Sequence, residues 1–466
     1  MRHLLGLRRA ACVITFALGA LGSAGCAGHE VRVRDSLIAL DRGSMEQAVA
    51  ALDQELGVKK PGEIPAVSRD EALLLLDRGS IHLAMGKYEQ ASRDLGAADQ
   101  AIEVLDLSTS KAADLGRYVF SDDAGPYKAP AYEKLLLNTL NMMSYLARHD
   151  LNGARVEARR LVVMQEYIES VGDEGALLGL GSYLAGFTFE KSKQRDEALL
   201  HYEEALEYAK YRSLKAPLRA LTRGEETHPE IDALVKGAEP LAPVEETGEG
   251  EILVVVGFGR VPPKTPVRIP IGMAMQIVGN ELSPMERREA DSLVMQGAVA
   301  WINYPTLGQG RGGYEVPKAS VGDEPLPLEQ ALDVEGEVRS AWHKREGTLV
   351  LAAITRLLAR TAASVGVAGA TTAAINAAQD DPQRRSDGSA EAVGMLLGFA
   401  TSLTLSSLDT PDTRSWATLP ARISIGRTRV PAGKHAITLE ARGQRRTFDV
   451  KVDAGGWALV PFFVLR

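Results

Sequence analysis

The sequence predicts an α+β protein. An N-terminal array of paired helices is followed by an α+β domain that carries a small-residue helical hairpin and ends in a β-sandwich-like antiparallel sheet. Three observations predict it. One helix–turn–helix pattern recurs through the first half, apolar runs of strand length fill much of the second, and the last 50 residues alternate between strand text and turn text.

The chain opens with a segment that belongs to neither part. MRHLLGLRR carries Arg2, Arg8 and Arg9 and no acid, ACVITFALGALG is apolar, and SAGC closes the run with small residues. A basic start, a short apolar core and small residues before a cut describe a secretory signal peptide, here 1–25. The core falls short of the roughly 20 apolar residues that a spanning helix needs. The Ser-Ala-Gly-Cys end resembles the lipobox of bacterial lipoproteins. Leu usually stands three residues before the cysteine in that family, and here the position is Ser23. The resemblance implies cleavage before Cys26, a diacylglyceryl group on its sulfur and an acylated new amine. Cys12 falls inside the signal, so Cys26 is the one thiol of the mature chain, and no intrachain disulfide can form. Several acyl chains anchor a protein far more firmly than one. Ala27 at the next position implies, by the same resemblance, the outer membrane and a periplasm-facing body. A short tether, 26–34, is expected to follow.

The helical region is expected over 35–215. GSMEQAVAALDQEL (43–56), MGKYEQASRDLGAAD (85–99), HDLNGARVEARRLV (149–162) and KQRDEALLHYEEAL (193–206) each set a polar turn before an alanine: Ala48, Ala91, Ala154 and Ala198. Helical text precedes the turn in three of the four. The pattern resembles the tetratricopeptide repeat, with Gly79, His82, Tyr88, Ala91, Leu95 and Ala98 in the second unit and Gly186, Phe189, Ala198, Tyr202 and Ala205 in the fourth. Small residues let paired helices approach and larger ones fill the gap. Insertions such as 108–130 break a strict period, and a plain helical bundle stays open as the alternative. Repeats bury their apolar faces by stacking and leave a concave surface for another chain.

Between 216 and 250 Pro, Gly and acids cluster while periodicity fades, which predicts a linker. The α+β domain is then expected over 251–466. EILVVVGFG reads as a buried strand. GFGR and GQGRGGYE lack the continuations that a dinucleotide or phosphate loop needs, and read as turns. A helical hairpin is expected at 347–408. Its uncharged segments, 361–379 and 392–408, place Gly366, Ala370 and Ala374, and Gly394, Gly398 and Ser402, on single faces. The hairpin either packs in the body or meets a membrane. A β module is expected over 416–466. Its VPAGKH turn resembles the PEGA-type surface module, which implies a β-sandwich accessory unit.

Asp412, Arg414, Trp416, Leu419 and Pro420, with YEKLLLNTLNMMSYLARHDLNGARVEARR (132–160) and Pro262-Pro263-Lys264, resemble a family of uncharacterised bacterial lipoproteins. That resemblance implies a periplasm-facing lipoprotein and no activity. Trp416 is expected to anchor the hairpin exit in the core, with Asp412 and Arg414 bracing the turn.

The formal net charge is −8, and removing 1–25, with three arginines and no acid, leaves −11. An acidic chain lacks the basic surface that nucleic acid binding runs on. The mature histidines are scattered, and the nearest approach to a cluster is His343 with Glu346. Neither a nucleophile elbow nor a metal-ligand spacing occurs in the sequence. The expectation is therefore a non-enzymatic scaffold without cofactor. Its membrane is reached through Cys26, and its envelope protein partners through the helical repeats. A membrane-associated or pore-related protein using 361–408, and an envelope-polymer hydrolase, are the alternatives.

Overall fold

The computed structural model describes residues 28–60, 63–65, 67, 71–107, 127, 129–170, 178–279, 281–295, 300–313, 315–378 and 410–466. The protein is α+β: helices come first and antiparallel-rich sheets follow.

Four helix pairs build the first half. They are α1 (His29–Asp41) with α2 (Met45–Glu55), α3 (Glu71–Ala84) with α4 (Tyr88–Leu107), α5 (Ala131–Ala147) with α6 (Leu151–Ser170), and α7 (Leu178–Lys191) with α8 (Arg195–Tyr208). Each pair packs internally and against the next pair. All four turns are built alike. Gly43, Gly86, His149 and Lys193 take φ of 80°, 76°, 61° and 60°. The next amide reaches back over the turn in each, from Ser44 to Ala39, Lys87 to His82, Asp150 to Tyr145 and Gln194 to Phe189. A left-handed residue with this 6→1 bond satisfies carbonyls at a helix end. The alanine five positions after each left-handed residue is fully buried. A Cβ on Gly79 would lie 2.9 Å from Leu95, and one on Gly186 2.5 Å from Tyr202, so both glycines serve close helix approach. Lys193→Gly relieves a left-handed non-glycine residue on an exposed turn. It is expected to stabilise the fold by about 0.5–1 kcal/mol, read as a higher denaturant midpoint at unchanged slope.

Two segments expected to be non-helical connections are helical instead. The expected tether, 26–34, is helical from His29, whose ring is buried. The expected linker, 216–250, folds as α9 (Lys215–Thr222), α10 (Pro229–Val235) and α11 (Val244–Thr247). Its prolines and glycines mark the ends of short helices. Glu203 of α8 caps α10 by accepting from the amides of Glu230 and Ile231 at 2.9 Å each, and Ile231 is fully buried.

The second half holds β1 (Glu249–Phe258), β2 (Lys264–Pro270), α12 (Ile271–Val278), α13 (Pro284–Met295), β3 (Trp301–Leu307), β4 (Lys318–Val321), β5 (Glu324–Pro325), β6 (Glu329–Asp333), α14 (Val334–Ala378), β7 (Arg422–Pro431), β8 (Gly433–Ala441), β9 (Gln444–Val452) and β10 (Trp457–Val464). The first sheet has the order β10-β1-β7-β6, and β1 pairs with β10 in parallel. A second sheet runs β5-β4-β8-β9, and β2 and β3 form a ribbon. The β module of 416–466 is thus not one sheet. Its four strands divide between two, because β1 is apolar on both faces. Ile252, Val254 and Val256 meet the second sheet, while Leu253 and Val255 join the core of the helices. Three layers result: helices, first sheet, second sheet. Pro461 fits mid-strand because β10 is an edge strand.

The first helices of the later pairs line the first sheet: α3 and α5 pack on β10, and α7 on β6. Ala72–Ala84 is buried throughout. The inner side of the array is therefore filled by the chain's own sheet. α14 starts at Val334, well before the expected 347, and its backbone stays helical to Ala378. With α12, α13 and the β2–β3 ribbon it forms a third core around Trp342 and Ile354. The second arm of the expected hairpin, 392–408, lies outside the described residues. Gly259, at φ 68°, shows why the two glycine-rich segments are turns: a Cβ there would stand 2.5 Å from the Arg311 carbonyl oxygen.

Candidate functional site

Cys26 and the signal 1–25 lie outside the described residues. The first described residue, Gly28, follows Cys26 by two positions. His29 is buried with its Nε2 3.5 Å from Asp77 Oδ2, and Glu30 accepts a hydrogen bond from Thr413 Oγ1. The start of α1 is therefore packed into the body of the protein.

Three motifs that are distant in sequence converge there. The Trp416 indole is fully buried, and its Nε1–H donates to Ser80 Oγ of α3 at 2.9 Å. The Trp416 amide donates to Glu133 Oε1 of α5 at 3.0 Å. Two residues on, the amide and hydroxyl of Thr418 both donate to Asp77 Oδ1 at 2.9 Å. Lys264 Nζ donates to the Arg414 carbonyl at 3.0 Å. Arg414 makes a two-point pair with Asp412, at 2.7 and 2.9 Å, so the turn is braced as expected. The Tyr127 hydroxyl donates to Glu133 Oε2. Burial pushes the Glu133 carboxyl up, against its hydrogen bonds from Tyr127 and Trp416. Burial also raises Asp412, but the Arg414 guanidinium outweighs it and the net shift is down. Most of these polar groups are spent on one another, while Asp77 Oδ2 and both His29 ring nitrogens are buried without a hydrogen-bond partner among the described residues. The paired groups lock the segment that follows Thr410 to α1, α3, α5 and β2.

A second knot joins α7 and α8 to the first sheet. Arg427 of β7 donates to Glu251 at 2.7 and 2.6 Å, to Glu190 at 2.7 and 2.8 Å, and to the Tyr202 hydroxyl at 2.9 Å. Lys191 Nζ bridges the same carboxylates at 2.6 and 2.5 Å. Burial favours the neutral acids, yet Arg427 and Lys191 hold both below the usual carboxylate range. Above the knot lies a cleft of about 210 Å³, lined by Glu190, Glu251, Arg195, Arg223, Glu245 and Arg429 among others. Glycoside hydrolysis needs a carboxyl that keeps its proton near neutral pH. Glu190 and Glu251 are held ionised, so neither is such a donor.

His343 and Glu346 stand 3.9 Å apart with the imidazole exposed, which is a solvated helix face. Among the described residues no group of three or more His, Cys, Asp or Glu could hold a metal. Sequence reasoning singled out Asp412, Arg414 and Trp416. It missed their partners Asp77, Ser80 and Glu133, and the Arg427 knot, of which it named only Tyr202, as a repeat position. Polar letters inside the apolar runs EALLLLDRGSIHLA and EILVVV were the available signal. Comparison with protein-family models, with characterised proteins and with solved structures finds no match.

Proposed function

We propose that the protein is a lipid-anchored component of the cell envelope, tethered through Cys26, that acts as a non-enzymatic scaffold for other proteins. The tether is expected at the outer membrane with the body facing the periplasm. The four helix pairs are read as tetratricopeptide-like, on the strength of the repeated left-handed turn and its buried alanine. The observation that carries the scaffold reading is that the outer helices leave large apolar side chains in solvent: Val156 and Val163 of α6, 48% and 65% exposed, and Leu200 of α8, 57% exposed. Since the inner side is taken by the first sheet, the partner surface moves to these outer helices.

Two measurements test the reading. Cys26→Ser is expected to release the protein from membranes into the soluble fraction under a high-salt, detergent-free wash. If the variant stays with the membranes, the lipid is not the main anchor. Photo-crosslinkers at Val163 and Leu200 in intact cells are expected to trap one common protein, and trapping none removes the scaffold reading.

One observation favours a second reading, contact of 361–408 with the bilayer. Thr413 touches Glu30, so the segment that follows 361–408 is packed on the start of α1, a few positions after Cys26 in sequence. Among the described residues no helix is long and apolar enough to cross a membrane. Protease protection of 361–408 in reconstituted vesicles would support contact, and cleavage at the same rate with and without vesicles would refute it.

A further inference from the structure

At the C-terminal end of α1, segments distant in sequence gather arginines on a chain that is acidic as a whole. Arg466 Nη2 donates to the Arg442 carbonyl at 2.7 Å, and the Arg466 guanidinium lies 3.9 Å from a Cβ placed on Gly43, beside Arg42. The Arg442 guanidinium lies 3.6 Å from a Cβ placed on Gly313. Arg446 stacks over Phe448 at 4.6 Å and acts on Tyr88 of α4. Asp41 is already committed to Arg260 at 2.7 Å and Arg311 at 3.1 Å. Glu315 spends its Oε1 on the Arg442 amide at 2.7 Å. Among the described residues no ion pair to a carboxylate is formed by Arg42, Arg442, Arg446 or Arg466.

Arg442 and Gly443 form the two-residue turn between β8 and β9, with φ of 51° and 66°. Asn-Gly or Asp-Gly suits such a turn best. An arginine there holds a left-handed backbone that costs free energy, and its side chain goes to the patch.

Beside the patch runs β9, the terminal strand of its sheet, nine residues long and paired only with β8 among the described residues. Arg445, Arg446, Thr447, Asp449 and Lys451 on it are exposed. An open strand edge presents unpaired N–H and C=O groups. An extended polypeptide can complement those groups, whereas a lipid headgroup or a polyphosphate cannot pair with them in register.

We propose that β9 and its adjoining arginines form a docking site for an extended acidic segment of a partner protein, which adds to the second sheet as a fifth strand. Backbone pairing along β9 supplies the register, and carboxylates over Arg442 and Arg446 supply the selection for acids. The inference goes beyond the scaffold reading by adding a second surface, distinct from α6 and α8, and rests on that reading only in taking the partner to be a protein. α1 spans about 20 Å, so the site stands well away from the helix start at His29.

The full chain carrying Cys26→Ser tests it without any lipid, and so independently of the anchor. The probe is a fluorescent ten-residue peptide of alternating Glu and Val. It is expected to bind, to weaken as salt rises, and to lose about ten-fold or more in affinity to the Arg442→Glu/Arg446→Glu double variant. A Lys–Val peptide is expected not to bind. Equal binding by a peptide methylated at alternate amides would overturn strand addition, and that comparison needs no variant to fold. Displacement of the peptide by phosphatidylglycerol vesicles would make this a headgroup site and overturn the assignment to protein.

Discussion

Arg427→Met is expected to destabilise the fold by about 3–5 kcal/mol, measured by chemical denaturation at neutral pH. The loss comes less from the vanished attraction than from what remains. Glu190 and Glu251 stay buried, and only the single ammonium of Lys191 faces them, at 2.6 and 2.5 Å. The Tyr202 hydroxyl, which donates to Glu190 at 2.5 Å, loses the donor that faced its own oxygen. A buried carboxylate without compensation costs several kcal/mol. Replacing Arg427, Glu190 and Glu251 together by apolar residues of similar volume should therefore cost much less than removing Arg427 alone, and this non-additivity is the diagnostic result.

The same knot sets a sign for acid unfolding. Arg427 and Lys191 depress both carboxyls below the unfolded value of 4.5. Groups with depressed values contribute stability that is fully present above the unfolded value. It is lost as pH falls through the folded ones. The native protein is thus expected to lose stability steeply below about pH 4.5. Arg427→Met should flatten that limb, because its carboxyls no longer hold depressed values. A variant with an unchanged acid limb would show that the knot does not govern it.

The parts of the fold that were legible in the sequence were local. The turn-plus-alanine pattern located all four helix pairs, because a left-handed turn and a buried small residue are specified within about ten residues. Gly79 against Leu95 and Gly186 against Tyr202 were legible for the same reason. The division of the last four strands between two sheets was not. Strand text says which residues can pair, and only the double-faced burial of β1 decides which sheet each strand joins. Residues 216–250 misled because Pro and Gly end short helices as readily as they make linkers. The ties at Trp416 span 283 to 341 positions of sequence, beyond any spacing argument. The arginines at the end of α1 are isolated letters in an acidic chain until the fold gathers them.

Trp416→Ala is expected to cost about 3–5 kcal/mol, with a consequence at a distance from the substitution. The indole is the largest fully buried side chain and belongs to the core shared by the helices and the first sheet. Truncation opens a cavity there and removes the donor from Ser80, whose hydroxyl still donates to the Leu76 carbonyl at 3.1 Å. Trp416→Phe keeps most of the volume and loses only that hydrogen bond, so about 1–2 kcal/mol is expected. The distant effect follows from connectivity. Trp416 holds the stretch 410–420 in place, and that stretch holds the first turn of α1 through Thr413 and Glu30. Loss of the indole should raise amide hydrogen exchange over 29–35, while β8 and β9, which lean on the separate core around Ile437 and Leu439, keep their protection. If exchange over 29–35 stays native-like while global stability falls, the start of α1 is held by something other than Trp416. If exchange there rises as stability falls, one buried tryptophan fixes residues 29–35 to the body of the protein.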